Sequence, residues 1–130
     1  MEEQLVSYGI ARLAARKEFD EECYDNYIYH KAQSEDTPLK LDHWILKIKN
    51  SDFSPERYTA PTQSFLQKWI REKHDIHIEI YANASGYGYT LTKGAFNGST
   101  IKEIDDDKFY ETFEQALERG LFDSLMLIKK

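Results

Sequence analysis

Cationic residues and tyrosines near the middle of the chain form the combination of residue types best suited to binding a ligand. Cationic side chains neutralise phosphate groups, and aromatic faces stack on nucleobases, so this combination predicts a nucleotide-binding surface. The residues of this basic and aromatic cluster are Lys68, Arg71, Lys73, Tyr81, Tyr87 and Tyr89. A simpler interpretation stays open, with solvated charges on a helix and tyrosines that line a half-buried sheet face.

Histidines and acids nearby invite the question of a metal site. Zinc requires three or four ligands that converge tetrahedrally, whereas His74 falls at a helix end and His77 on a strand. There His74 is expected to complement the helix dipole. The carboxylates of Asp105 to Asp107 suit Mg²⁺, but they precede a helix and do not match the calcium-loop spacing. We predict neither a metal site nor a cofactor.

Signatures of catalysis are also weak. Ser85 to Gly88 resembles a glycine-rich phosphate loop, but such a loop must open a helix and this one closes a hairpin. Cys23 has no partner motif, and no Ser/His/Asp set can be assembled from spacing. We therefore predict no catalytic residue and a protein that is not an enzyme.

A helix that begins near Pro61 positions the cations. Proline suits the first helical turn, and Thr59 or Thr62 can supply the capping oxygen. Polar residues, among them Gln63, are expected on the outer side. The apolar side chains that recur at helical spacing are Phe65, Leu66, Trp69 and Ile70.

A β-hairpin directly after this helix positions the tyrosines. After Asp75 the apolar residues alternate with polar ones, which predicts a strand with one buried face. Asn83 to Gly86 has turn chemistry, in which glycine adopts a positive φ without cost. Tyr87 and Tyr89 alternate with small or polar residues on the returning strand.

The flanking segments complete the predicted fold. Ser7 can cap a first helix, and two aromatic segments follow it as strands. Thr112 and Gln115 match a capping box for the last helix, whose apolar stripe contains Gly120. A close contact with the sheet would explain that glycine. The predicted fold is α+β, with three helices and a four- to five-stranded, mainly antiparallel sheet in the order α-β-β-α-β-β-(β)-α.

Composition limits the class of protein. The 130 residues predict one domain spanning 1–130, and a net charge of −6 argues against a duplex nucleic-acid partner. The single cysteine, Cys23, excludes an intramolecular disulfide and fits a reducing compartment. No apolar run is long enough for a membrane span, and the acidic N-terminus does not match a signal peptide. We predict a cytoplasmic protein.

Three segments resemble a known group of proteins. They are LVSYGIARLAARKEFDEEC (Leu5 to Cys23), APTQSFLQKWIREKHDIHIEI (Ala60 to Ile80) and FYETFEQALERGLFDSLMLIKK (Phe109 to Lys130). Their sequences are similar to a family of short proteins found in phages and mobile elements of Bacteroides-type bacteria, to which no activity is assigned. The resemblance implies an accessory protein in the host cytoplasm that acts on host machinery or defence, and it supplies no site residues.

These observations together favour a protein that acts by binding. The first hypothesis is a counter-defence protein that sequesters a nucleotide immune signal as a homo-oligomer. A second is an inhibitor or modulator that binds a host defence protein through an acidic, aromatic surface. A third is a small metal-dependent enzyme that processes nucleotides. The expected partners are thus a small nucleotide or a host protein, with no membrane contact.

Overall fold

The computed structural model describes residues 4–28, 40–52, 57–94, 99–103 and 109–128. The predicted α+β class with three helices is confirmed, and the order of elements matches roughly. In chain order the elements are α1 (Tyr8–Arg16), β1 (Cys23–Ile28), β2 (Lys40–Ile48), a 3₁₀ turn (Asn50–Asp52), β3 (Arg57–Thr59), α2 (Gln63–His74), β4 (Ile76–Asn83), β5 (Gly86–Lys93), β6 (Ser99–Glu103) and α3 (Phe113–Leu127).

The strands form two antiparallel sheets rather than the single predicted sheet. One has the order β2-β1-β3 and the other the order β4-β5-β6. β3 was not predicted from the sequence, and it pairs with β1 through Asn26 opposite Thr59 and Ile28 opposite Arg57. A three-residue strand is too short to show an alternating pattern, so only its pairing with a distant segment identifies it.

The chain divides into two compact units. The unit from Leu5 to Pro61 contains α1 and the sheet β2-β1-β3. Ser7 caps α1 as predicted, because its Oγ accepts a hydrogen bond from the Ile10 amide at 3.4 Å. In the same unit the Asn50 side chain donates to the Phe19 carbonyl at 2.7 Å and accepts from the Thr59 amide at 2.8 Å.

The other unit contains α2, α3 and the sheet β4-β5-β6. α2 is capped by Thr62, whose Oγ1 accepts from the Phe65 amide at 3.2 Å. Pro61 therefore precedes the cap and does not lie in the first helical turn, where it was predicted. The helix ends at His74 and is followed by the C-cap Asp75, a left-handed residue with φ of 55° whose amide donates to the Arg71 carbonyl.

The buried face of α2 differs from the predicted one at two positions. Phe65 is 37% exposed, although it was expected in the apolar face. Gln63, expected outside, is buried, and its Nε2 donates to the Glu114 carbonyl at 2.9 Å and to Glu118 Oε2 at 2.8 Å. A buried amide is tolerated when its hydrogen bonds are made, and sequence spacing does not show partners from another helix.

The predicted helix and hairpin are confirmed. β4 and β5 pair from Ile76 opposite Lys93 to Asn83 opposite Gly86, which leaves a turn of two residues. The Ser85 amide donates to Asn83 Oδ1 at 2.8 Å within this turn. α2 packs against β4, and α3 packs against both strands of the hairpin.

α3 begins with the predicted capping box in a modified form. Thr112 Oγ1 accepts from the Gln115 amide at 3.1 Å, but Gln115 Oε1 accepts from the Glu111 amide rather than from Thr112. Gly120 is buried against the sheet, as expected. A Cβ atom at this position would lie 2.9 Å from Ile78 Cγ2.

Candidate functional site

The predicted cations lie on the outer surface of α2. Lys68, Arg71 and Lys73 are all exposed. Lys68 Nζ is 4.0 Å from Glu72 Oε1, one helical turn away, and such an exposed pair contributes little to stability. Arg71 and Lys73 occupy the last turn, where the negative end of the helix dipole favours cations. These positive charges therefore gather at the C-terminal end of α2.

A further cation at this helix end was not predicted. Lys93 Nζ, from the end of β5, donates to the His74 carbonyl at 2.8 Å. Burial, and then the charge of Lys93, lower the pKa of His74. The Trp69 ring packs edge-on against the imidazole, with 5.0 Å between centroids. Lys93 therefore adds a positive charge at this end of the helix, where Arg71, Lys73 and the predicted His74 occupy the last turn.

The predicted tyrosines lie on both faces of the hairpin. Directly paired residues share a face, so Tyr87, opposite Ala82, lies on the side that packs against α3, as does Tyr89. Tyr81 pairs with Gly88 on the opposite face. Moreover, six strand residues separate Ala82 from the α2 end of β4, a distance of about 20 Å. Tyr81 and Tyr87 thus lie near the turn of the hairpin, whereas the last turn of α2, with Arg71 and Lys73, is next to the opposite end.

Tyr89 belongs to a buried polar network with α3. Its side chain is 3% exposed, and its hydroxyl donates to the carboxylate of Asp123, which is 5% exposed. Arg119 Nε lies 3.5 Å from the other carboxylate oxygen of Asp123. The guanidinium also stands over the Phe122 ring, 4.8 Å from its centroid. This network attaches the hairpin to α3 through paired polar groups.

The network favours the protonated form of Tyr89. Burial, the hydrogen bond to Asp123 and the negative charge of Asp123 all raise the pKa of Tyr89. For Arg119, burial disfavours the charged form, but Asp123 and Tyr89 outweigh it and raise the pKa. The spacing of four residues between Arg119 and Asp123 was the available sequence signal. The network was missed because its third member, Tyr89, comes from a distant strand, and the spacing within α3 does not show that contact.

Several aromatic rings contact one another near the hairpin turn, and the sequence did not predict these contacts. The Tyr81 and Phe109 rings contact edge to face, with 6.5 Å between centroids, and Tyr87 and Phe113 do so at 6.4 Å. Tyr110 exchanges two backbone hydrogen bonds of 2.9 Å with Tyr87. We call this group the aromatic end; its members are Tyr81, Tyr87, Phe109, Tyr110 and Phe113.

Two glycines allow the aromatic end to form. A Cβ atom at Gly86, whose φ is 131°, would lie 2.5 Å from the Tyr110 carbonyl oxygen. A Cβ atom at Gly88 would lie 2.7 Å from Cζ of Tyr81, whose ring crosses the glycine. Gly86 was predicted as a turn residue and Gly88 as a residue of the returning strand, and the structure shows that they also make room for the rings and for the 109–110 segment.

The remaining candidate residues do not converge. His77 Nε2 is 3.0 Å from Asp75 Oδ1, a pair of partly exposed side chains at the start of β4. In the part of the chain that the structure describes, no group of three or more His, Cys, Asp or Glu residues is arranged to hold a metal. Asp105 to Asp107 lie outside the described residues. Cys23 is buried, with Sγ 3.6 Å from the Glu21 carbonyl oxygen.

Comparison with known proteins provides one weak relationship. The chain is 28% identical over 120 residues to glutamate-1-semialdehyde 2,1-aminomutase of Methanocaldococcus jannaschii. The aligned region covers 88% of this chain but spans only 28% of that enzyme. No family model and no solved structure matches the sequence. Among the described helices, none has the length and apolar character needed to cross a membrane.

Proposed function

We propose that this protein acts by binding, and that the aromatic end contacts a protein partner. The observation that carries the proposal is Phe113, which is 45% exposed at the start of α3 while its ring contacts the partly buried Tyr87. Tyrosine and phenylalanine are enriched at protein interfaces and often dominate their binding energy. Rings held edge to face, as here, lose little conformational freedom when a partner covers them.

The charges around the aromatic end favour a basic partner surface. Glu79 is exposed on the same sheet face as Tyr81, and Glu111 is exposed between Tyr110 and Phe113. The whole chain carries a net charge of −6. Such charges accelerate association with a basic surface, including one that normally binds nucleic acid. In a phage or mobile element, a host defence protein with such a surface would be the target.

Replacing Phe113 with serine is expected to reduce retention of the host partner at least tenfold, because an interface aromatic commonly contributes more than about 1.4 kcal/mol. Phe65→Ser is the matched control, since Phe65 is 37% exposed on α2 and lies outside the aromatic end. Quantitative pull-down from host extract, followed by titration of the purified partner, measures both variants. Equal losses for the two variants, or none for Phe113→Ser, would contradict the proposal.

Nucleotide sequestration is the second candidate, and the exposed Lys68, Arg71 and Lys73 favour it. Here the cations would bind the phosphates of an immune signal held by a homo-oligomer. Tyr89 is not available to stack on a nucleobase, because its ring is buried against α3. The similarity to the aminomutase supports neither proposed function, because the aligned region spans only 28% of that enzyme.

Native mass spectrometry with host small-molecule extract tests this second candidate. We expect a constant added mass in the nucleotide range on the wild-type protein and its loss in Arg71→Glu, because the substitution reverses the charge that faces the phosphates. Arg12→Glu, an exposed arginine of α1, is the control and should retain the mass. A bare wild-type protein in saturating extract would exclude this candidate.

A further inference from the structure

β4 is the outer strand of the sheet β4-β5-β6, and the structure identifies which of its backbone groups face outward. The Gly94 amide donates to the Asp75 carbonyl at 2.8 Å. Hydrogen-bonded pairs alternate in an antiparallel ladder, so the odd-numbered residues of β4 bond to β5 and the even-numbered residues face away. Gln67 supports this assignment, because its Nε2 donates to the outward Ile78 carbonyl at 3.0 Å.

The outward groups nearest the turn are open. In the described ranges, the amides and carbonyls of Ile80 and Ala82 have no hydrogen-bond partner outside their own strand. Ala82 is exposed, and Ile80 is partly exposed. The Gln67 side chain marks one limit of this free edge, and the turn at Ala84 marks the other. A free strand edge is a template for pairing with another chain.

We propose that this edge pairs antiparallel with the same edge of a second copy. Ile80 of one copy lies opposite Ala82 of the other, and each of the two symmetric pairs exchanges two backbone hydrogen bonds. The two-fold axis then passes between the two copies of Tyr81. This arrangement uses the open amides and carbonyls of Ile80 and Ala82 and leaves the bond from Gln67 to Ile78 in place.

The charges and the Gln67 contact favour this register over those with the axis at Glu79 or at Ile80. An axis at Glu79 would place two carboxylates directly opposite each other, which is destabilising. An axis at Ile80 would pair Ala82 with Ile78, whose carbonyl Gln67 already occupies. In the proposed register Glu79 faces the neutral Asn83. Tyr81 leaves the edge open, because its ring turns back across Gly88.

Ala82→Pro tests the pairing because it removes the outward amide and spares the bonds to β5, which Tyr81 and Asn83 make. Proline is accepted on edge strands for this reason. Light scattering after gel filtration, over a concentration series, should show a dimer for the wild type and a monomer for Ala82→Pro. Ala82→Val keeps the amide, so it is the matched control and should stay dimeric. A monomeric wild type, or a dimeric Ala82→Pro, would overturn the proposal.

Cysteine cross-linking tests the register without a proline. Side chains opposite each other in a non-hydrogen-bonded pair have Cβ atoms about 4.5–5.5 Å apart, close enough for a disulfide after small adjustments. Tyr81→Cys should therefore give a covalent dimer on mild oxidation, whereas Glu79→Cys should not. The reverse result would refute this register. The pairing brings together the two copies of Tyr81, a member of the aromatic end, but it does not involve Phe113. Phe113→Ser should therefore lose the proposed partner contact and leave the dimer intact, which distinguishes failure of one proposal from failure of the other.

Discussion

Replacing Gly120 with valine should lower the free energy of unfolding by about 2–3 kcal/mol. The site is buried, and an added Cβ atom would lie 2.9 Å from Ile78 Cγ2 and 3.6 Å from the Tyr89 ring. Ile78 Cγ2 is attached directly to Cβ of a β-branched residue, so it cannot rotate away easily. Relief requires α3 to move from the hairpin, which would also strain the Tyr89–Asp123 contact. Urea unfolding followed by circular dichroism measures the loss.

Gly9→Val in α1 is the matched control for this prediction. A Cβ atom at Gly9 would have Ser7 Oγ as its nearest neighbour, at 4.0 Å. Gly9→Val should change the free energy of unfolding by no more than about 0.5 kcal/mol, because only the difference in helix propensity between glycine and valine remains. In an Ile78→Ala background, Gly120→Val should lower the free energy of unfolding by less than it does in the wild type, because the Cγ2 methyl of Ile78 is absent. An equal cost in both backgrounds would show that the contact is not the cause.

Raising the pH above 10 should destabilise the wild-type protein more steeply than the Tyr89→Phe variant. The folded protein raises the pKa of Tyr89 by burial and by the Asp123 carboxylate. Protonated Tyr89 therefore contributes stability below pH 10, and this contribution is lost as the pH rises above 10, where the unfolded chain releases the proton first. The difference in slope approaches about 1.4 kcal/mol per pH unit.

Urea unfolding at several values between pH 9 and pH 11 measures that difference. Tyr24→Phe is the control, since it removes a tyrosine that is 44% exposed, and it should retain the wild-type slope. Below pH 9, Tyr89→Phe should be less stable than the wild type, because the buried Asp123 loses a hydrogen bond. Parallel curves for wild type and Tyr89→Phe would show that Tyr89 does not link stability to pH.

The helix caps and the hairpin were predictable because their determinants lie within a few residues of one another. Ser7 and Thr62 cap through bonds to amides three residues away, and the change of apolar period after Asp75 marks where α2 ends and β4 begins. Gly120 was also interpreted correctly from sequence, since a glycine inside an apolar helical stripe needs a packing reason. These features are local, and the sequence by itself determined them, except that it left the cap of α2 open between Thr59 and Thr62.

Pairing between distant segments decided the rest. The tyrosines were grouped by proximity in sequence, but strand pairing places Tyr81 and Tyr87 on opposite faces of the hairpin. Tyr89 is buried and donates a hydrogen bond to Asp123 of α3. The aromatic end depends on Phe109 and Phe113, which come after the end of the hairpin at Lys93 and belong to a separate segment of the chain. Likewise, β3 is a strand only because β1 pairs with it. Contacts of this kind are fixed by which surfaces meet in the folded chain, so only the tertiary structure defines the candidate site.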